Sequence, residues 1–96
     1  LKLHDNNISR LPEAFGQGLT SLQALYLFNN KLSELPATFG QGLPFLVFLN
    51  LDNNQLSHLP ETFGQGLQSL GICFLRSNRL SQLPGGPASI SIRIVL

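Results

Sequence analysis

The chain has 96 residues, of which 43% are hydrophobic and 11% are charged, and its formal net charge is +1. This composition excludes a disordered chain, because disorder requires low hydrophobicity and high charge. It also argues against a nucleic-acid partner or an anionic membrane surface, since both need clustered Lys and Arg. No uninterrupted apolar stretch is long enough to span a membrane, so we predict no membrane insertion. Because the sequence contains no Met, we expect it to be a piece of a longer chain.

A spacing of 24 residues organises the chain from its beginning to Pro84. Four Asn residues share this spacing: Asn6, Asn30, Asn54 and Asn78. The same spacing separates Leu-Pro pairs ending at Pro12, Pro36, Pro60 and Pro84, and also Phe15, Phe39 and Phe63. Internal repetition with a period of about 20 to 50 residues is typical of solenoids and related repeat architectures. The sequence therefore predicts one structural turn per repeat.

Each repeat begins with a short segment in which apolar and variable residues alternate, as in a half-buried strand. The four segments are residues 1–3, 25–27, 49–51 and 73–75. One strand per turn builds a parallel sheet with strands about 4.8 Å apart. After each strand an Asn is expected to turn its amide inward and to bind buried backbone groups, which makes the four Asn residues a structural ladder. The recurring Phe-Gly-Gln-Gly sequence then favours irregular or 3₁₀ segments over a long helix.

The unit over residues 19–42, LTSLQALYLFNNKLSELPATFGQG, resembles the typical leucine-rich repeat. The resemblance covers about residues 1–84, with the Asn, Leu-Pro and Phe positions in register, and it is very specific. It implies a single right-handed leucine-rich-repeat solenoid over residues 1–96, mostly β and of the α/β horseshoe class. A short parallel sheet would line the concave face, and irregular or 3₁₀ segments the convex face. The repeats would span about residues 1–18, 19–42, 43–66 and 67–84.

After Pro84 the pattern breaks down, since Pro87 stands where Phe is due and Ser91 where Leu is due. Residues 85–96 end in alternating Ile and Leu, which predicts a degenerate closing strand that pairs with residues 73–75. The alternative is an exposed edge strand that recruits another chain. Solenoids need polar caps to be soluble, and we find none at either end. We therefore expect that flanking sequence is missing or that self-association covers the ends.

The outward positions of the strands form columns that vary between repeats, and members of the resembled family bind their partners there. From these columns we select the candidate partner-binding residues of the concave face: Tyr26, Phe28, Phe48, Asn50, Asp52, Phe74 and Arg76. Their aromatic side chains suit a protein interface. The alternative is that these rings only pack on one another. Asp52 and Arg76 occupy the same position on adjacent turns, which predicts an ion pair whose effect on stability is small if the pair is exposed.

We expect Phe45, Val47 and Ile72 to extend this apolar surface in the third and fourth repeats. Contiguous exposed apolar residues usually mark an interface. This feature favours a dimer or larger homo-oligomer.

No group of residues has the spacing of a catalytic or metal site, so we predict no enzyme, no cofactor and no metal. His4 and His58 lie in different columns and are expected to be solvated. Cys73 takes the position of a strand Leu, which favours a buried, inert thiol, and a single Cys excludes an internal disulfide. Residues 7–9 match the N-glycosylation acceptor sequence, and whether it is used stays open.

The leading interpretation is a non-catalytic protein-recognition module that presents a concave leucine-rich-repeat surface to a protein partner. The alternative is a structural element that dimerises or stacks on copies of itself through its apolar face and uncapped ends. Proteins with this repeat type are often extracellular, but they also occur inside cells and in microbes, so the compartment stays open.

Overall fold

A computed structural model of the chain describes residues 1–81 and 93–96. Four short strands form one sheet in sequence order: β1 (Ala24–Tyr26), β2 (Phe48–Asn50), β3 (Ile72–Phe74) and β4 (Arg93–Val95). Neighbouring strands are all parallel. The described residues contain no helix, and turns and irregular segments connect β1 to β2 and β2 to β3. The predicted short parallel sheet is confirmed.

The register of the sheet follows the repeat. Leu25 pairs with Leu49, and Leu49 pairs with Cys73, so each strand lies 24 residues after the one before it. From Ile72 to its partner Arg93 the step is only 21 residues, which makes the last turn shorter. The strands begin one residue earlier than the alternation predicted. Residues 1–3 form an isolated bridge between Lys2 and Tyr26, where we had predicted a full strand.

The inward side of the sheet packs on columns of Leu side chains. In the strands themselves Leu25, Leu49 and Cys73 are completely buried. Further from the sheet, Phe39 lies between Phe15 and Phe63 with ring centroids 6.2 Å away on each side and nearly parallel planes. Burial of large apolar side chains drives folding in proportion to the area removed from water. The repeated columns therefore supply one continuous core along the solenoid.

On the far side of the core, residues 13–18, 37–42 and 61–66 form turns. In the second of these, the amides of Phe39 and Gln41 each donate to a carbonyl three residues earlier, at 2.9 and 3.0 Å. Gly40 has a φ of 101°, and a Cβ atom there would lie 2.8 Å from the carbonyl oxygen of Gln65. Only Gly fits this position, because both the backbone conformation and the neighbouring turn exclude a side chain.

Part of the predicted closing segment lies outside the described residues. These are residues 85–92, and residues 82–84 of the last repeat also lie outside the described residues. Within residues 1–81 and 93–96, no helix has the length and apolar character needed to cross a membrane.

Candidate functional site

The turn after each strand is held by an Asn side chain that links two adjacent repeats. Asn54 donates to the carbonyl oxygens of Leu27 and Leu51, at 3.0 and 3.1 Å, and its Oδ1 accepts from the Leu32 amide at 3.0 Å. Asn30 and Asn78 make the equivalent bonds one repeat earlier and later. Asn6 is exposed and, within the described part of the chain, donates only to carbonyls of its own turn. These amides satisfy buried backbone groups that would otherwise lack a partner.

The residue before each of these Asn side chains has a left-handed backbone, which Asn and Asp adopt more readily than most residues. The four residues are Asp5, Asn29, Asn53 and Ser77, with φ between 56° and 58°. Along this edge Asn53 donates to Asn29 at 2.8 Å, and Asn29 donates to Asp5 at 2.7 Å. A side-chain ladder therefore borders the outward side of the sheet.

That outward side, which we call the sheet face, carries alternate residues of the strands and their neighbours. Its members are Lys2, His4, Ala24, Tyr26, Phe28, Phe48, Asn50, Asp52, Ile72, Phe74, Arg76, Arg93 and Val95. Because the residues between them point into the core, the position of each side chain is fixed by the strand alternation. All seven predicted partner-binding residues lie on this face.

Five rings on the sheet face contact one another in a continuous aromatic band: His4, Tyr26, Phe28, Phe48 and Phe74. Tyr26 and Phe74 lie on either side of Phe48, with centroids 5.3 and 5.4 Å from it. His4 stacks on Phe28 at 4.5 Å with nearly parallel planes. All five side chains are half-buried. The rings thus pack on one another and still expose part of their surface.

His4 departs from the sequence interpretation, which placed it in solvent. Its ring is half-buried, its Nε2 lies 4.0 Å from an Asp5 carboxylate oxygen, and its Nδ1 is buried without a hydrogen-bond partner among the described residues. The available signal was its position in the column of Phe28, one repeat earlier in the chain. Because aromatic rings favour stacked or edge-to-face contacts, the His4 ring is expected to pack on the neighbouring Phe28 ring.

An ion pair between Asp52 and Arg76 lies next to Phe74, at one end of the aromatic band. Arg76 Nη2 lies 2.7 Å from Asp52 Oδ2 and its Nε lies 3.0 Å from the same oxygen, while the Arg76 amide donates to Asp52 Oδ1 at 2.7 Å. Asp52 is almost fully buried, whereas the Arg76 side chain is 57% exposed. The hydrogen bonds to Asp52 raise the pKa of the Arg76 guanidinium above its usual range. The guanidinium also lies over the Phe74 ring, 5.0 Å from its centroid.

Asn50 is the remaining predicted site residue. Its Oδ1 accepts from the Asp52 amide at 3.0 Å, and the side chain is half-buried beside the aromatic band. In the register of the sheet, Asn50 lies between Tyr26 and Phe74, so it places a polar side chain within the row that carries these two rings.

A flank of the third repeat exposes two large apolar side chains beside the sheet face. Phe45 is 58% exposed and Val47 is 47% exposed, while Ile72 is half-buried. The corresponding positions are Ser21 and Gln23 in the second repeat. This apolar flank is therefore a feature of one repeat and is not required by the repeat architecture.

The side chains with reactive groups are dispersed. Burial, with a smaller contribution from the charge of Asp52, raises the pKa of the Cys73 thiol to about 12. His58 is exposed and hydrogen bonds to Ser57. Glu13, Glu34 and His58 line an open cleft on another side of the repeats. Within residues 1–81 and 93–96, no three His, Cys, Asp or Glu side chains are grouped as metal ligands.

Comparison with known proteins agrees with this architecture. The sequence model of the family described as "Leucine rich repeat" matches residues 1–56, more than half of the chain. No curated protein sequence matches the chain.

Proposed function

Since the chain belongs to the leucine-rich-repeat family, we propose that its sheet face is a binding surface for another protein. Domains of this family generally mediate protein–protein interaction. The observation that carries the proposal is the continuous aromatic band on a face whose backbone is fixed by the Asn ladder. Aromatic side chains held on a rigid support are typical anchors of protein interfaces.

Contacts among the rings lower the entropic cost of binding a partner. A partner that orders flexible side chains loses about 0.5–1.5 kcal/mol for each one. Phe48 is already held between Tyr26 and Phe74, so little further ordering is needed when a partner covers the rings. The surface that the rings leave exposed then contributes to affinity as apolar area removed from water.

A non-catalytic role is part of the proposal. Members of the family are typically non-catalytic. In this chain the Cys73 thiol is buried and stays protonated at neutral pH, since its pKa is raised to about 12. The imidazole of His58 contacts Ser57 on the surface, away from the aromatic band.

A selection from a random peptide library displayed on phage tests this proposal. Each selected peptide is measured against the wild type, against Phe28→Ser/Phe74→Ser, and against Lys31→Ser/Gln55→Ser as a matched double substitution at exposed positions away from the sheet face. We expect the first variant to lose binding and the second to retain it. Circular dichroism melting identifies any variant that fails to fold, in which case Tyr26→Ala replaces it. Peptides that bind both variants as tightly as the wild type would refute the proposal.

The apolar flank at Phe45 and Val47 supports a second function, self-association of the chain. Monomeric proteins rarely expose large contiguous apolar patches, and such patches usually mark an interaction surface. The test is sedimentation of the wild type and of Phe45→Ser/Val47→Gln, which places the residues of the second repeat at these two positions. We expect a concentration-dependent oligomer that the variant lacks. A wild type that stays monomeric up to high concentration contradicts this second function.

A further inference from the structure

Charged side chains are divided unequally between the sheet face and the rest of the surface. The sheet face carries three cations, Lys2, Arg76 and Arg93, and one carboxylate, Asp52, which amounts to +2. The remaining segments carry three cations and four carboxylates, or −1, and the two parts together give the net charge of +1. The sheet face is therefore the basic side of a nearly neutral molecule.

The single carboxylate on the sheet face is already neutralised. Both Oδ atoms of Asp52 accept hydrogen bonds from Arg76, and Asp52 is almost fully buried. At the edge of the face, Asp5 accepts from Asn29 and lies near His4. On the face itself an approaching partner therefore meets cations and aromatic rings, with the negative charge of Asp52 held behind the guanidinium, while the exposed Asp5 carboxylate lies at the edge.

The cations on the sheet face still have N–H donors available to bind a ligand. Lys2 and Arg93 are exposed, and neither forms an ion pair among residues 1–81 and 93–96, a part of the chain that contains all five of its acidic side chains. Arg76 uses two of its five side-chain N–H donors on Asp52, which leaves three. Guanidinium groups bind carboxylates strongly because two parallel hydrogen bonds form at once.

The spacing of these cations defines the length of a ligand. Lys2 belongs to the row before β1 and Arg93 belongs to β4, so four inter-strand steps separate their rows. At about 4.8 Å a step, this is about 19 Å. An extended peptide covers that distance with about six residues. The aromatic band lies between the two ends.

We propose that the sheet face binds an extended acidic segment of a partner protein, with carboxylates at both ends and apolar side chains between them. The carboxylates pair with Lys2 at one end and with Arg76 and Arg93 at the other, and the apolar side chains cover the aromatic band. This inference rests on the proposed function, to which it adds the chemistry of the partner. Complementary charge selects the partner and fixes its position along the face, while the rings supply most of the affinity.

Immobilised synthetic peptides test this proposal by biolayer interferometry. The probe is an acetylated and amidated peptide with two aspartates at each end and leucine, phenylalanine, serine and leucine between them. In two control peptides, asparagines or lysines replace the aspartates. We expect the acidic peptide to bind about tenfold more tightly than the asparagine peptide, as for two partly exposed ion pairs. This advantage should decrease between about 50 and about 300 mM salt.

Charge reversal in the protein locates the effect. Lys2→Glu/Arg93→Glu should lower the affinity for the acidic peptide about tenfold or more. The control Lys31→Glu/Arg79→Glu changes the net charge equally, at exposed positions away from the sheet face, and should leave the affinity nearly unchanged. An equal loss in both variants would overturn the proposal, because net charge alone would then explain the binding.

The remaining outcomes separate this inference from the proposed function. Equal binding of all three peptides, lost in Phe28→Ser/Phe74→Ser, overturns the acidic partner and leaves the sheet face as a binding surface. Binding that persists in that variant contradicts both. If no peptide binds, the acidic-segment proposal is wrong, and the library selection decides the proposed function by itself.

Discussion

Replacing Asn54 by Leu, which has the same branching and number of side-chain heavy atoms but no polar group, tests how the Asn ladder holds the turns behind the sheet face. Three carbonyl acceptors lose one bond each, but each keeps another donor: the oxygens of Leu27 and Leu51 keep the neighbouring ladder amides, and that of Asp52 keeps a backbone amide. The buried Leu32 amide loses its bond to Asn54 Oδ1 and gains no other. One orphaned buried donor therefore dominates the loss of stability.

The magnitude follows from these partners. An unsatisfied buried amide costs about 1–3 kcal/mol, and the three weakened acceptors together add about 1 kcal/mol. We expect Asn54→Leu to lower the free energy of unfolding by about 2–4 kcal/mol. The whole chain has a stability of about 5–14 kcal/mol at typical values per residue. Since 1 kcal/mol shifts Tm by about 4–8 °C in a domain of this size, melting should occur on the order of 10–30 °C lower.

Asn6→Leu is the matched control, because Asn6 has the same place in its repeat but is exposed. Its two carbonyl acceptors, on Leu3 and His4, become accessible to water when the side chain is lost. This variant should therefore lose less than about 1 kcal/mol. Urea titrations followed by circular dichroism give both values. If the two variants are equally destabilised, burial of the ladder amides does not determine their contribution, and the reasoning is refuted.

Three further predictions concern single positions of the repeat. Gly40→Ala should destabilise the chain by about 2–5 kcal/mol in urea titrations, because of left-handed strain and a clash with the Gln65 carbonyl. Gly18→Ala, whose added Cβ would have nothing within 4 Å, should lose only about 1–2 kcal/mol from the strain alone, and equal losses in the two variants would contradict the clash. Ser77→Asn should raise Tm, because Asn suits the left-handed conformation at φ 58° and extends the hydrogen-bonded ladder at the edge of the sheet face; an unchanged or lower Tm contradicts this. The Cys73 thiol should react with a disulfide reagent at pH 8 only after unfolding, and rapid reaction of the folded chain would show that the thiol is accessible. Because its pKa rises from 9.0 to about 12 on folding, the free energy of unfolding should fall as pH rises through that interval.

The sheet could be predicted from the sequence because packing fixes the repeated positions. Leu25, Leu49 and Cys73 recur at one spacing and are completely buried, so any other register would bring polar residues into the core. The strand limits could not be predicted as closely. They depend on which backbone groups pair, and the Phe48 amide reaches the Gln23 carbonyl before the alternating segment begins.

The sheet face was less predictable, because its side chains are not constrained by a repeated environment. The Asp52–Arg76 pair was predicted from the shared position on adjacent turns, but the burial of Asp52 and the bond that it accepts from the backbone amide of Arg76 were not. That third bond depends on the local path of the strand end and leaves no trace in the residue types. For His4, the shared column with Phe28 was the only signal in the sequence, because the stacking itself depends on rotamers that the alternation does not determine.

Contacts among the rings strengthen the proposal that the sheet face binds a partner. Isolated aromatic side chains on a surface would each lose rotamer freedom on binding. Tyr26, Phe48 and Phe74 have already lost much of that freedom during folding, because each ring lies 5.3–5.4 Å from its neighbour. Arg76, held by Asp52 and placed over Phe74, is fixed in the same way while keeping three N–H donors. Packing within the band therefore pre-organises the surface that an acidic, apolar segment would cover.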